Sequence, residues 1–231
     1  YLHQGGLPAV GTRLKQPLLA QNLQAIAAQG NTAFYQGTIA RDMVDFIHAH
    51  GGAMTMEDMR EYKAHVLTPL SCSYGDYTVL TTRPPSKGGV VLCDILRYVS
   101  QHPRSFKKSP MLTNVEAFQK ASQHAFYDVG DPAYPRQPKM LQTVNENEVH
   151  SSEGLHTTSY VVVDKKGEVV VVTYSLNSYF GVGLVAPGTG FFLNDSNRDF
   201  SSNALSANFF APGKQPVSSM APTILLHHGR F

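Results

Sequence analysis

Tryptophan is absent from the 231 residues, and cysteine occurs only twice. Two thiols exclude a disulfide-dense scaffold and a four-cysteine zinc site. Cys72 and Cys93 are compatible with one disulfide in an oxidising compartment, but with so few thiols the buried, unpaired state is expected. Charge is scarce: Lys+Arg 19 against Asp+Glu 17 leaves +2, and charged residues make up 16%. A chain so balanced does not advertise nucleic acid as its partner. No apolar run is long enough to span a bilayer. The ten His are scattered. His48 with His50, and His227 with His228, lack the i, i+4 pairing around an acid that a metal site uses, so they read as surface residues. Gly181-Val182-Gly183 and Gly188-Thr189-Gly190 lack the strand-then-helix setting of a dinucleotide loop, and Pro84 to Gly89 lacks phosphate-loop spacing. No motif implies a metal or an organic cofactor.

What is present is a globular composition, with 42% hydrophobic residues,. The first half reads as mostly helical. Pro17 opens a helix through Leu18, Leu19, Leu23, Ile26 and Ala27, which Gly30 ends. Ile39, Met43, Phe46 and Ile47 form a second stripe, stopped by Gly51-Gly52. Thr55 caps a third, short helix with Glu57 and Asp58 in its first turn. Gly75-Asp76 turns a strand pair, and Val79 and Leu80 lead to the break at Pro84-Pro85-Ser86-Lys87-Gly88-Gly89. Helices then run through Val90 to Val99 and through Val115 to Phe126.

Composition shifts near Gly130. Residues 131–156 read as a linker. Beyond it, Tyr160 to Val163 and Val169 to Tyr174 flank Lys165-Lys166-Gly167 as a hairpin. Phe191-Phe192-Leu193 and Thr223 to Leu226 are further expected strands. The chain opens at Tyr1 without Met and closes just after Gly229, so it is read as a fragment.

Thr157-Thr158-Ser159 sits where the linker meets the hairpin. A Thr there is ordinarily a strand former. Cleavage of the preceding peptide bond would give Thr157 both a nucleophilic hydroxyl and a free α-amine to act as its base. Hairpin geometry returns Ser175 and Asn177 toward Thr157, although the bland reading is a strand end and a turn. The cluster from Asn194 to Asp199 is ordinarily a solvated loop, with Asp199 able to recognise an amine. Pro216 to Pro222 holds Ser218 and Ser219 between prolines, as a recognition loop or as a simple turn before a strand.

Taken together, these segments resemble the γ-glutamyltranspeptidase family. Thr157-Thr158, Thr173 to Asn177, Phe180-Gly181, Pro187 to Gly190, Leu193-Asn194, Asp199 to Ser201 and Pro216 to Thr223 carry the likeness in order and spacing. Phe34 to Gly37, Gly51-Gly52 with Thr55 to Asp58, and Pro84 to Gly89 extend it through the first half. The resemblance implies an α+β fold, the four-layer αββα sandwich of N-terminal-nucleophile hydrolases, with the present chain incomplete. It implies self-cleavage between His156 and Thr157. Residues 1–156 would be large-subunit-like and 157–231 small-subunit-like, together one fold and the two subunits of one precursor. Thr157 would attack a γ-glutamyl amide such as glutathione, and the acyl group would pass to water or to an amino-acid or peptide acceptor. By position, Ser175 would support Thr157. Asn177 and Asp199 would hold the α-amino end of the glutamyl group, Ser196 would make a further contact to its head, and Ser218 and Ser219 would hold its α-carboxylate. No cofactor is implied, and the family points to the periplasm or the extracellular side.

The departures are specific. Ser159 stands where the family has His, Ser175 where it has Thr, and Ser196 where it has Gln, Glu or Asn. The linker before Thr157 is short. The family's oxyanion-forming Gly-Gly pair and substrate-clamping Arg fall outside residues 1–231. Each missing oxyanion donor is worth about 2.7–4 kcal/mol of transition-state stabilisation, so this chain alone is expected to be inactive. Two alternatives stand beside the main reading. One keeps the fold but acts as an acylase or a poly-γ-glutamate-processing transferase. The other is an uncleaved, non-catalytic relative that serves as a binding or structural protein.

Overall fold

The computed structural model describes residues 6–134 and 156–231. Most of the expected linker, 131–156, lies outside the described residues. The rest forms two compact units, one from residues up to His65 with Gly183–Leu193, the other from Val66–Val182 with Asn194–Phe231.

The first unit is helical: α1 (Pro17–Gln29), α2 (Asn31–Tyr35), α3 (Thr38–Ala49) and α4 (Met56–Glu61). Pro17 starts α1 and Gly30, at φ 66°, ends it, with its N–H on the Ile26 carbonyl,. The expected Thr55 cap is present as a full capping box. Thr55 Oγ1 accepts from the Asp58 N–H at 3.1 Å, and Asp58 accepts from the Thr55 N–H at 2.7 Å,. The Thr55 hydroxyl and N–H together hold the Asp58 carboxyl below the usual range. The core joins Ala40 and Val44 of α3 to Met59 of α4, with Phe34, Tyr35, Met43 and Met56 packed around them.

Gly183–Leu193 returns to this unit as a loop. Phe191-Phe192-Leu193, expected as a strand, makes only one isolated bridge, Val185 to Phe192. The cause is local. Gly188 and Gly190 adopt φ of 85° and 72°, which folds the segment back until the Leu193 N–H meets the Leu184 carbonyl,. Asn22 of α1 fixes the bend by donating to the carbonyls of Gly188 and Thr189 at 2.9 and 2.8 Å.

The second unit carries the strands. β1 (Leu70–Tyr74) and β2 (Tyr77–Thr81) form the expected hairpin about Gly75-Asp76, and β6 (Ile224–His227) adds antiparallel to β2. Helices α5 (Lys87–Gln101), α6 (Pro103–Lys108) and α7 (Pro110–Asp128) follow the first hairpin. Ala125 and Val129 of and beyond α7 pack with Val90 and Val91 of α5 around Val217. That apolar contact seats the chain just before Ser218.

The expectation of unpaired cysteines is wrong: Cys72 and Cys93 form a disulfide. β1 lies against α5, and this places the two Cα atoms 5.9 Å apart, within bridging range,. The 21-residue separation, running through a turn, a strand and a loop, hid the proximity.

β3 (Thr157–Val163) and β4 (Val169–Ser175) pair antiparallel as a separate two-stranded sheet, and β5 (Tyr179–Val182) follows. Among the described residues no helix is long and apolar enough to cross a membrane.

Candidate functional site

Thr157 is the first residue of β3, and its Cα partner is Ser175, the last residue of β4. Residues directly opposite on paired strands share a face, and residues two apart along a strand share it as well. Thr157, Ser159, Thr173 and Ser175 therefore line one face of the hairpin's end. Ser159 Oγ lies 3.0 Å from Thr173 Oγ1 and donates to the Val172 carbonyl at 3.0 Å. The His156 ring packs on Tyr179 of β5 at 3.9 Å between centroids. His156 and Thr157 thus each have a neighbour in the strands that follow, Tyr179 and Ser175.

From Ser175 the contacts run onward. Ser175 Oγ accepts from the Asn177 N–H at 2.9 Å. Asn177 has φ 74°, a left-handed conformation that Asn tolerates better than most residues,. In that turn its amide donates to Asp199 Oδ1 at 3.0 Å. Asp199 ends a 3-10 turn, Ser196–Asp199.

The carboxylate expected to matter, Asp199, is half-buried, whereas Asp195 is buried more deeply. Asp195 accepts from the Ser178 N–H at 2.9 Å and the Ser178 hydroxyl at 2.5 Å, and Arg198 Nη1 lies 3.3 Å away. Burial pushes the Asp195 carboxyl up. The Ser178 hydroxyl, the Ser178 N–H and Arg198 together outweigh it, so the group sits below the usual carboxylate range,. Asp195 therefore locks the corner that carries Asn177. Sequence reasoning passed over it, because an acid in a polar loop carries no sign of its burial.

Ser218 is fixed by the break before α5. Its N–H donates to the Pro85 carbonyl at 3.2 Å, and its carbonyl accepts from the Lys87 N–H at 2.7 Å and the Ser86 hydroxyl at 3.1 Å. Ser86 also donates to the Met220 carbonyl at 2.6 Å, and Thr82 does so at 3.0 Å. A Cβ on Gly88 would stand 2.2 Å from the Ser219 carbonyl oxygen, so only glycine allows this approach,. Ser218 Oγ accepts from the Met220 N–H at 3.1 Å, which makes the loop an ST turn as well as a bridge to α5,.

The structure thus links Thr157, Ser175, Asn177 and Asp199 in one run of contacts and holds Ser218 from α5. Ser196 and Ser219 are less engaged. The Ser196 N–H bonds Asn194 Oδ1 at 3.0 Å, and among the described residues no side-chain bond ties Ser196 or Ser219 to the others. An open cleft of about 530 Å³ lies elsewhere. Tyr74, Tyr77, Val79, Leu92, Leu96, Thr223 and Leu225 line it, and none of the candidate residues does. Among the described residues no group of three or more His, Cys, Asp or Glu is arranged to hold a metal.

The chain is α+β, and its fold is that of the N-terminal-nucleophile hydrolases. Its fold matches that of a cephalosporin acylase from Bacillus halodurans with a TM-score of 0.79 at 24% identity, over 98% of this chain and 45% of that one. Residues 1–231 match the family described as gamma-glutamyltranspeptidase, and the chain belongs to that family. It is 34% identical over 265 residues to the glutathione hydrolase proenzyme of Pseudomonas sp. (strain A14), covering 100% of this chain and 46% of that protein. It is 32% identical over 256 residues to the glutathione hydrolase proenzyme of Escherichia coli (strain K12), covering 95% and 44%. The chain spans about half the length of these relatives.

Proposed function

We propose that the protein carrying this chain is a self-processing γ-glutamyl hydrolase or transferase with Thr157 as its nucleophile. Cleavage of the bond after His156 frees the Thr157 α-amine. That amine takes the proton from the Thr157 hydroxyl as the oxygen attacks the γ-carbonyl, and passes it to the departing amine. A γ-glutamyl ester remains, and water or an acceptor amine releases it. Asn177 and Asp199 receive the ammonium of the glutamyl head, and Ser218 and Ser219 its carboxylate. Charge-assisted hydrogen bonds to both ends hold the γ-carbonyl over Thr157. The relatives' name supports glutathione as a substrate.

One observation carries this reading: Thr157 begins β3 directly opposite Ser175, whose hydroxyl anchors the turn that aims Asn177 at Asp199. The Cys72–Cys93 disulfide supports an exported, oxidising location, periplasmic or extracellular,.

Intact mass spectrometry of the full-length protein, with and without Thr157→Ala, tests the proposal. Two fragments meeting at His156/Thr157, absent from the variant, are expected. A wild-type protein that stays whole while folded would identify an uncleaved relative and overturn it. Turnover confined to acyl donors without a glutamyl head would replace the substrate with that of an acylase.

A further inference from the structure

The two ends of the candidate site meet at one buried side chain. Asn208 is 5% exposed. Its Nδ2 donates to the Asp199 carbonyl at 2.5 Å, and its Oδ1 accepts from the Val217 N–H at 3.0 Å. Val217 immediately precedes Ser218. One planar amide therefore spans the gap between the residue assigned to the substrate ammonium and the loop assigned to its carboxylate.

The amide is itself held from behind. The Ala207 N–H bonds the Tyr127 carbonyl at 3.1 Å, and the Ser206 hydroxyl bonds the Phe126 carbonyl at 2.7 Å, both near the end of α7. Ser206 Oγ also accepts from the Asn208 N–H at 3.1 Å, and the Asn208 carbonyl accepts from the Ser201 N–H at 3.0 Å. Lys214 closes the loop by donating to the carbonyls of Ala207 and Phe209 at 2.7 and 2.9 Å. Backbone and side chain of Asn208 are thus both engaged, and the helix end gives them a fixed base.

We propose that Asn208 is a positioning residue that sets the distance between the ammonium-reading and carboxylate-reading ends of the site, and so selects acyl donors whose head carries both groups. The proposal rests on the γ-glutamyl reading above. A head group with an ammonium and a carboxylate on one carbon has a fixed span, and two rigid half-sites match it only at one separation. Asn208 touches neither substrate end. It acts through Asp199 and Val217.

Four p-nitroanilides given to the full-length protein separate these roles: the γ-glutamyl donor, the glutaryl donor without the ammonium, the 4-aminobutyryl donor without the carboxylate, and the butyryl donor without either. Asn208→Leu keeps close to the size, adds no charge, and removes both the donor to Asp199 and the acceptor for Val217. Its kcat/KM ratios of γ-glutamyl over glutaryl and of γ-glutamyl over 4-aminobutyryl should both fall by about 10-fold, the low end of what a charge-assisted hydrogen bond contributes. A purely structural role would slow all four donors alike and leave both ratios in place, which overturns the proposal. A fall in one ratio alone also overturns it, because a spacer must affect both ends. If Asn208→Leu does not accumulate, Asn208→Ser, which is shorter and cannot span the gap, is read by the same two ratios. A wild-type enzyme that shows no preference for the γ-glutamyl donor removes the underlying reading instead, and the proposal with it.

Discussion

Asn177 and Asp199 lie 22 residues apart and meet through a 3.0 Å hydrogen bond from the Asn177 amide to a carboxylate oxygen of Asp199. The bond restrains how the Asp199 side chain is turned. In the reading proposed above, this carboxylate receives the substrate ammonium through a charge-assisted hydrogen bond.

Asp199→Asn keeps the size of this side chain and removes its charge. A charge-assisted hydrogen bond contributes about 1.5–3 kcal/mol, so kcat/KM for a γ-glutamyl anilide should fall by about 10- to 100-fold. Self-cleavage at His156/Thr157 involves no substrate ammonium and should lose far less. Steady-state kinetics and intact mass on the same preparation give both numbers. Full transferase activity in the variant would show that Asp199 does not read the ammonium.

Gly88 meets the site from the other side. Adding a methyl group would put a carbon 2.2 Å from the Ser219 carbonyl oxygen and 2.8 Å from the Ser219 carbonyl carbon, both backbone atoms. Neither can rotate away, so Gly88→Ala must displace the Ser218-Ser219 loop or the start of α5. Such overpacking costs about 1–3 kcal/mol. A melting temperature lowered by several degrees, with a raised KM for the γ-glutamyl donor, is the expected pair of effects. A variant with unchanged melting and unchanged KM would show that the loop shifts freely and is not a rigid half-site.

Much of this arrangement was legible in the sequence where local chemistry decides the structure. The capping box at Thr55 and Asp58 and the helix end at Gly30 each follow from residues a few positions apart, and the hairpin from Thr157 to Ser175 follows from two strand-forming runs around one local turn. The pairing of Thr157 with Ser175 follows from the alternating pattern once the turn at Lys165-Lys166-Gly167 is placed. The long-range features were not legible. Cys72 and Cys93 are brought together by the packing of β1 on α5. Asp195 and Asn208 look like ordinary polar loop residues, and only their burial and their partners from distant segments reveal them. Phe191 to Leu193 has strand-like composition, but the positive φ at Gly188 and Gly190 bends the chain before a ladder can form.

The disulfide gives a prediction that does not depend on catalysis. It closes a loop between residues separated by 21 positions. Loop-closure entropy for a ring of that size corresponds to about 3 kcal/mol of stabilisation. Replacing both cysteines, Cys72→Ser with Cys93→Ser, should lower the melting temperature by several degrees, and a reductant should do the same to the wild type but not to the variant. Thiol labelling under denaturing, non-reducing conditions checks the bond directly, and two reactive thiols in the native protein would contradict it.

Asp195 makes the acid side of the stability profile informative. Burial raises its pKa, but the Ser178 hydroxyl, the Ser178 N–H and Arg198 more than reverse this, so the folded-state value lies below the unfolded one. The sign follows directly. The carboxylate's bonds contribute their full stability above the unfolded value of about 3.9, and the contribution is lost as pH falls through the lower folded value. Asp195→Asn cannot titrate. Its deficit against the wild type should therefore be constant from neutral pH down to about 5 and shrink progressively below about 4. Urea midpoints for both proteins across this range measure the difference. A deficit that persists undiminished at the acid end would mean that the charge on Asp195 does not hold the Ser178 corner, and the turn that aims Asn177 would then need another anchor.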